Sequence, residues 1–255
     1  TRESVVRREM QLEEGQPLGV QKLLESQRRL SALGIFERVN ITELDPEAPE
    51  RRSLLVSVQE APQTTVAYGI GYAERDKLRG SVEVTQRNLF GMDRSLSAFA
   101  RVSFKGSRFL ASYREPFLFG RRQEMFLTAF REEEDRPFFD FVRYGGLLQT
   151  GRTLTPSWSL ILRYAYQETS IFNIAVSLDE VDRQFRSTTF SGPSASVVND
   201  TRDDPLDPHR GRFIGADVQL SHEVLGGDTF MKGLLQASTY QRVPARTVLA
   251  VPGRL

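Results

Sequence analysis

The chain has 255 residues, of which 39% are hydrophobic and 26% charged, and its formal net charge is +1. Basic residues are interspersed with acidic ones, which argues against a nucleic-acid-binding surface. No window approaches 18 consecutive apolar residues, so the sequence excludes a transmembrane helix but leaves an alternating membrane barrel open. There is no cysteine, which excludes disulfides, thiolate metal sites and thiol nucleophiles.

The first 62 residues have the pattern of a small α/β module. Four elements are predicted there in the order helix, helix, strand, strand, over residues 4–10, 20–33, 36–41 and 54–58. Thr1 is the predicted N-cap of the first helix, because its hydroxyl oxygen can accept a hydrogen bond from a free backbone N–H. Gly34 is the predicted stop of the second helix, and a turn at 45–47 is predicted between the strands.

Beyond Pro62 the sequence changes to alternating strands, with no convincing helical pattern. The clearest strand covers 157–167, where one face is apolar and aromatic and the other is mostly polar. The apolar face holds Trp158, Leu160, Leu162, Tyr164 and Tyr166, and the other holds Ser157, Ser159, Arg163 and Gln167. We count roughly eleven segments of about ten residues, the length that a tilted strand needs to cross a bilayer.

Alternation also fits a soluble β-sandwich or β-solenoid, but the connections favour a membrane barrel. If Thr64 starts at the end nearest the N-terminal module, the distal connections vary widely in length and are 74–77, 105–108, 132–137, 169–186 and 223–229. The proximal connections are moderate in length and rich in turn formers, and are 87–94, 116–122, 150–156, 201–211 and 242–246. The longest connection is charged and distal, as outer-membrane barrels usually arrange it.

The N-terminal module contains a recognisable run of residues. TRESVVRREM at 1–10, Glu14-Gly15 and RLSALGIFERV at 29–39 resemble the barrel-proximal POTRA repeat of the BamA-like assembly and translocation family. POTRA repeats begin with a strand before their first helix. The resemblance therefore implies that 1–62 is the C-terminal part of such a repeat, without its first strand, and that 63–255 is the N-terminal portion of an outer-membrane β-barrel.

Three motifs in the second part resemble the turn motifs of the same family, namely RNLFG at 87–91, EPFLFG at 115–120 and the stretch 199–213. By the count of connections all three fall on the proximal side, which the resemblance makes periplasmic. The turn residues singled out are Asn88, Leu89, Phe90, Gly91, Pro116, Phe119, Gly120, Asp200, Arg202, Asp203, Pro208 and Gly211.

The chain departs from the family in one respect. The resemblance implies a sixteen-stranded antiparallel barrel with a Val-Arg-Gly-Phe motif in a long loop after the eleventh strand, and even strand numbers are the rule in bacterial barrels. This chain has no such tetrapeptide, starts without methionine and stops at Leu255, near the eleventh strand. We therefore expect it to be an excised or truncated piece of a larger protein.

The resemblance also implies a functional edge. The first barrel strand would form a lateral gate with the last one, and the gate residues would be Thr64, Val66, Tyr68, Gly69, Ile70, Gly71 and Tyr72. Gly69 and Gly71 weaken strand packing, which suits an edge that must unzip. The alternative is that these glycines allow close packing or a bend in the wall.

No pattern predicts catalysis, a cofactor or a metal site. The acidic residues Asp200, Asp203, Asp204 and Asp207 lack the EF-hand spacing, and Asp200 with Arg202 is predicted to form a salt-bridged turn. The acidic stretch 132–135 is predicted to be a solvated loop tip. His209 and His222 belong to no catalytic motif, so we expect no enzymatic activity.

The resemblance implies an assembly factor that folds and inserts β-barrel clients into the bacterial outer membrane through the lateral gate, with the POTRA part in the periplasm. The expected partners are unfolded outer-membrane proteins, periplasmic chaperones or accessory lipoproteins, and outer-membrane lipid. The alternative within the family is a secretion pore that exports a passenger through its lumen. A soluble all-β binding protein would instead bury the aromatic face of 157–167 under a second sheet.

Overall fold

The computed structural model describes residues 1–12, 15, 17–44, 53–175, 187–243 and 247–254. Two helices come first, Glu3–Glu9 (α1) and Val20–Ala32 (α2). The strands are Phe36–Glu43 (β1), Leu54–Glu60 (β2), Thr64–Ala73 (β3), Lys77–Leu89 (β4), Arg94–Ser103 (β5), Gly106–Glu115 (β6), Glu124–Asp135 (β7), Asp140–Thr155 (β8), Trp158–Phe172 (β9), Ser187–Asp200 (β10), Gly211–Ser221 (β11), Phe230–Val243 (β12) and Thr247–Arg254 (β13).

The N-terminal module has the predicted order of helix, helix, strand, strand. Its strands β1 and β2 pair antiparallel as a separate two-stranded sheet. The helices close over an apolar core of Val5, Leu30, Ile35, Phe36 and Val39. Burial of these side chains is the main force that holds so short a pair of helices on the sheet.

Buried polar side chains fix the helices to one another and to β1. The Ser26 hydroxyl donates to the Lys22 carbonyl and accepts from the Gln11 backbone N–H, both at 2.8 Å. The Gln27 amide donates to the Val39 carbonyl at 3.1 Å. These bonds satisfy groups that water cannot reach, so burial of the polar atoms carries little penalty.

The helix ends confirm one prediction and correct another. Gly34 follows α2 with φ of +68°, the left-handed conformation expected of a helix stop. Thr1, however, is not the N-cap of α1, because Arg2 occupies that position and makes no capping bond with its side chain. The Thr1 hydroxyl donates instead to the Glu60 carboxylate at the end of β2. The predicted turn at 45–47 lies outside the described residues.

Strands β3 to β13 form one eleven-stranded sheet in which every strand neighbours the next one in sequence. This confirms the mostly β class and the antiparallel order of about eleven strands. Among the described residues no second sheet covers the aromatic face of β9, where Trp158 and Tyr164 remain partly exposed. The exposure of these side chains disagrees with the soluble all-β alternative, which requires that face to be buried. No helix in the described ranges is both long and apolar enough to span a membrane.

Two compact units can be distinguished along the chain. The first comprises Thr1–Tyr68 with Val82–Ala98, and the second comprises Gly69–Ser81 with Phe99–Leu255. The first unit thus joins the N-terminal module to the segments that flank the β4–β5 turn. The domain boundary predicted between residues 62 and 63 stays a prediction.

The acidic stretch 132–135 is not a loop tip, contrary to the sequence-based prediction. It forms the end of β7, which pairs in register with the start of β8. Glu132 lies directly opposite Arg143, is largely buried and forms an ion pair with it. The cross-strand arginine offsets the charge that made the stretch look like a solvated turn.

Two predicted connections differ in the structure. Strand β8 runs on to Thr155, so the connection predicted at 150–156 shrinks to Pro156 and Ser157. Strand β9 runs to Phe172, so the predicted distal connection from 169 begins later, and its residues 176–186 lie outside the described part. The connection at 223–229 contains a three-residue 3-10 helix, Glu223–Leu225, which the pattern did not predict.

Replacement of Leu30 by alanine should destabilise the N-terminal module by about 2–5 kcal/mol, because Leu30 is 0% exposed in its core. Leu24→Ala on the same helix is the control, since that side chain is 48% exposed and its loss should cost little. The urea midpoint of each variant is measured by following the proteolytic cleavage of the helices as they unfold. Equal midpoints for the two variants would contradict the proposed core.

Candidate functional site

Strand β3 lies at one end of the eleven-strand order, and β13 lies at the other. The β3 side chains Val66, Tyr68, Ile70 and Tyr72 are all exposed, and Ile70 is 84% exposed. At the start of the strand the Thr64 hydroxyl donates to Gln86, and the Arg87 backbone N–H donates to the Gln63 carbonyl at 2.6 Å. The base of the β3–β4 hairpin is therefore held by hydrogen bonds, while one face of β3 carries exposed apolar side chains.

Gly69 and Gly71 face side chains of β4. A Cβ at Gly69 would lie 3.1 Å from the Ser81 hydroxyl oxygen, and one at Gly71 would lie 3.3 Å from Nε of Arg79. The glycines make room for these two side chains, which supports the alternative of close packing at both positions. Since a glycine also weakens a strand, a role in unzipping the edge stays a prediction.

The β4–β5 turn is built on residues in the left-handed region. Phe90 and Gly91 have φ of +57° and +71°, and the Met92 N–H donates to the Leu89 carbonyl, as in a type I′ hairpin turn. Asn88 is buried, and its side-chain oxygen accepts the Asp93 backbone N–H at 3.0 Å. The amide side chain thus closes the turn across its neck.

This turn contacts residues at both ends of α1 within the first compact unit. The Arg2 backbone N–H donates to the Gly91 carbonyl at 2.8 Å, and Nε of Arg2 donates to the Phe90 carbonyl at 3.2 Å. The Asn88 side-chain NH₂ donates to the Thr1 hydroxyl, and Arg8 pairs with Asp93 at 3.3 Å. The sequence analysis missed Arg2, Arg8 and Asp93, because their partners are more than 80 residues away in the chain.

The β6–β7 turn repeats the Phe-Gly arrangement. Phe119 and Gly120 have φ of +51° and +74°, and the Arg121 N–H donates to the Leu118 carbonyl at 3.1 Å. Pro116 follows the last residue of β6, where its missing N–H prevents further pairing. Phe119 is 93% exposed at the tip of the turn.

In the β10–β11 turn Asp200 and Arg202 form the predicted ion pair, which is bidentate. Nε and Nη2 of Arg202 donate to the two carboxylate oxygens at 2.9 and 2.7 Å, and the guanidinium lies 5.0 Å from the centre of the Phe213 ring. Such a planar pair stacked on an aromatic ring fixes the orientation of the arginine. A Cβ at Gly211 would lie 2.2 Å from the Thr201 carbonyl oxygen, so only glycine fits there.

Asp203 organises the rest of this turn. Its Oδ1 accepts backbone N–H groups of Asp204, His209 and Arg210 at 3.1, 2.9 and 3.0 Å. The bonds from Arg210 and His209 hold the pKa of the Asp203 carboxyl below its usual range. Pro208, which lies within this loop, is half-buried. The carboxylate therefore adds to the backbone bonds that join Thr201 to Arg212 and Asp203 to Arg210 across the loop.

A polar strip crosses β8 to β11, and the sequence analysis recorded only Arg163 of it. Arg163 donates to Gln149 at 3.0 Å and to Ser196 at 2.7 Å, and it pairs with Asp217 at 3.5 Å. Ser196 donates to the same aspartate. The alternation placed Arg163 on the polar face, but only the register between strands brings these four residues together.

No group of three or more histidine and acidic side chains that could hold a metal ion occurs in the described part of the chain. The acidic residues of the β10–β11 turn give their oxygens to Arg202 and to backbone N–H groups instead. The expectation that the protein is not an enzyme stays a prediction.

The geometry defines the class of protein first: an antiparallel meander with an apolar outer face, preceded by a small α/β module that contacts one of its turns. Residues 88–255 match the Omp85 superfamily domain, and residues 1–61 match the POTRA family, described as the surface antigen variable number repeat. The chain belongs to the Omp85 superfamily. This membership and the fold place it in the bacterial outer membrane.

The relatives of this chain share one name, outer membrane protein assembly factor BamA. The chain is 26% identical over 258 residues to the outer membrane protein assembly factor BamA of Nitratidesulfovibrio vulgaris, which covers 98% of this chain and 32% of the relative. It is 27% identical over 237 residues to the BamA of Neorickettsia risticii, with 86% of this chain and 31% of the relative covered. The chain thus spans about a third of the length of these relatives.

One solved structure supports the fold. The crystal structure of BamA from Haemophilus ducreyi lacking POTRA domains 1–3 superposes with a TM-score of 0.77 over 100% of this chain and 52% of that one, at 19% identity. This likeness confirms the fold, a POTRA module followed in sequence by an antiparallel barrel sheet.

Gly91→Ala should destabilise its turn more than Gly120→Ala destabilises the other one. Both glycines have left-handed φ, so each substitution costs about 1–2 kcal/mol in backbone strain. A Cβ at Gly91 would also lie 3.1 Å from the Arg2 nitrogen, whereas one at Gly120 meets open space. Loss of the Arg2 bond adds about 0.5–1.5 kcal/mol. Hydrogen exchange at the Arg2 amide should rise only in Gly91→Ala, and an equal rise in both would contradict the contact.

The β10–β11 turn should loosen in acid. Because folding lowers the Asp203 pKa, its stabilisation is present above the ordinary value of 3.8 and is lost as the pH falls through the lower folded value. Hydrogen exchange at the His209 and Arg210 amides should follow this titration. In Asp203→Ala the protection should be lost at every pH, whereas the control Asp207→Ala should keep the acid-dependent loss. Unchanged protection in Asp203→Ala would refute the role of the carboxylate.

Proposed function

We propose that this chain is the end of the barrel-proximal POTRA repeat and the first eleven barrel strands of an outer-membrane protein assembly factor. In this proposal β3 is the first strand of a lateral gate on which client strands are added. The shared name of the relatives over nearly the whole chain supports the assembly activity.

The observation that carries the proposal is the composition of β3, which lies at one end of the strand order. Pairing with an incoming strand requires free backbone N–H and C=O groups along an edge, and it requires no chemical step. An exposed apolar edge is normally blunted with charges or covered, because it invites pairing with other chains. Residues 64–72 of β3 carry no charged side chain and no proline that would block such pairing. An edge of this kind is expected where strand addition is the function.

The turns complete the proposal. The contacts of Arg2 and Arg8 with the β4–β5 turn would tie the POTRA part to the first hairpins, so that a client held by POTRA is delivered beside β3. The three turns with family motifs would lie on the periplasmic side together with POTRA. The partners would be unfolded outer-membrane proteins, the chaperones or accessory lipoproteins that bring them, and membrane lipid.

The test is a reversible lock of the gate in the full-length protein in membranes. A cysteine at Gly71 would be paired with cysteines along the final strand, and assembly of a client would be followed before and after reduction. The side chain of Arg79 near Gly71 is flexible enough to admit the new sulfur. We expect locking to stop client assembly and reduction to restore it.

The matched control places the cysteine at Leu78 on β4, which is separated from the final strand by β3 and should lock nothing. Client assembly that proceeds with the Gly71 lock closed would remove the gate from the mechanism. Export of a passenger through the locked barrel would assign the protein to the secretion pores instead.

A further inference from the structure

The β6–β7 turn presents an aromatic side chain in a conformation that disfavours it. In a type I′ turn the two central positions have positive φ and are normally asparagine, aspartate or glycine. Here the first of them is Phe119, with φ of +51°, and its ring points into open surroundings at 93% exposure. A bulky residue in this region is uncommon, and core packing does not account for it; Phe90 has the same conformation in the β4–β5 turn but is less exposed, at 72%.

The tip is also basic. Arg121 and Arg122 follow directly and are exposed, and the stretch 117–123 contains no acidic residue. Of the acidic residues that flank the stretch, Glu124 pairs with Arg114, and the Arg122 guanidinium lies 5.8 Å from the centre of the Phe117 ring. An exposed aromatic ring beside two arginines is the combination that enters a bilayer interface and meets anionic headgroups.

The position of the β6–β7 turn in the sheet is consistent with contact with a bilayer. Since successive strands are antiparallel, the β6–β7 and β8–β9 turns lie at the same end. Trp158 begins β9 at that end on its apolar face, and Tyr166 lies eight residues further, about 27 Å along the strand. This matches a lipid-facing band of about 25 Å bounded by aromatic residues. The end that bears Phe119 is thus the end where the band stops.

We propose that the Phe119–Arg122 tip is a membrane anchor that inserts the Phe119 ring into the bilayer interface and binds anionic phospholipid headgroups through Arg121 and Arg122. The proposal needs the outer-membrane location but not the assembly activity, so either can fail without the other. Neighbouring barrel strands would gain a fixed depth in the membrane at this end.

The β10–β11 turn supplies a matched control. It lies at the same end of the sheet and exposes Leu206 to 96%. Residues 201–210 carry three aspartates, Asp203, Asp204 and Asp207, against the two arginines Arg202 and Arg210, so the turn is slightly acidic and anionic lipid should not attract it. A comparison of the two turns therefore distinguishes the effect of an exposed apolar side chain alone from the effect of an exposed apolar side chain beside positive charge.

The experiment uses the full-length protein, freed of any other cysteine, in vesicles of phosphatidylcholine with or without phosphatidylglycerol. An environment-sensitive fluorophore is attached at Phe119→Cys or at Leu206→Cys. At 119 we expect a blue-shifted emission, quenching by nitroxide-labelled lipid and protection from aqueous iodide, all stronger with phosphatidylglycerol. At 206 we expect emission and iodide quenching typical of water in both vesicles.

Charge removal completes the test. Arg121→Gln with Arg122→Gln should abolish the effect of phosphatidylglycerol at 119, while Arg210→Gln in the control turn should leave it unchanged. The proposal is overturned if position 119 is as accessible to iodide as position 206. It is overturned equally if the blue shift ignores phosphatidylglycerol, or if it arises only when an unfolded protein is added, which would assign the tip to a protein partner.

Discussion

Backbone hydrogen bonding between neighbouring strands is the constraint on which the rest of this structure depends. Inside a bilayer no water is available to backbone N–H and C=O groups, so each strand must find its partners in the adjacent strands. The unbroken order from β3 to β13 satisfies that demand between all neighbouring strands of the sheet. The requirement that stabilises the wall thus makes an edge strand such as β3 reactive towards other strands, and the proposed function uses this property.

The alternation of side chains gives the sheet two different faces. On β9 the apolar side chains of Trp158, Leu162 and Tyr164 share one face, and Arg163 projects from the other. The side chains of the polar face bond to one another as well as facing solvent, because Arg163 contacts Gln149, Ser196 and Asp217 across four strands. A network of this kind is only favourable if its members are satisfied together, so it fixes the register of β8 to β11 more tightly than apolar contacts would.

The proximal turns use the same backbone geometry for different purposes. Both Phe-Gly turns place the phenylalanine and the glycine in the left-handed region, yet the Gly91 carbonyl accepts a bond from Arg2, whereas Gly120 faces open space. The β10–β11 turn relies instead on side chains, with Asp203 accepting three backbone N–H groups. In the first of these turns the backbone bonds to another segment of the chain, and in the longer β10–β11 loop a carboxylate adds to the backbone bonds that close it.

The sequence by itself determined the local features: the period-two alternation predicted the strands, Gly34 predicted the end of α2, and the motif residues predicted the turns and the Asp200–Arg202 pair. It failed where partners are distant in the chain. Glu132 looked like part of a loop because its partner Arg143 belongs to the next strand, and Asp93 and Arg8 gave no signal because they meet across 85 residues. Periodicity and turn chemistry are properties of neighbouring residues, so a sequence displays them. The register between strands and the contact of a turn with a helix depend on how distant segments pack, and only the tertiary structure decided them.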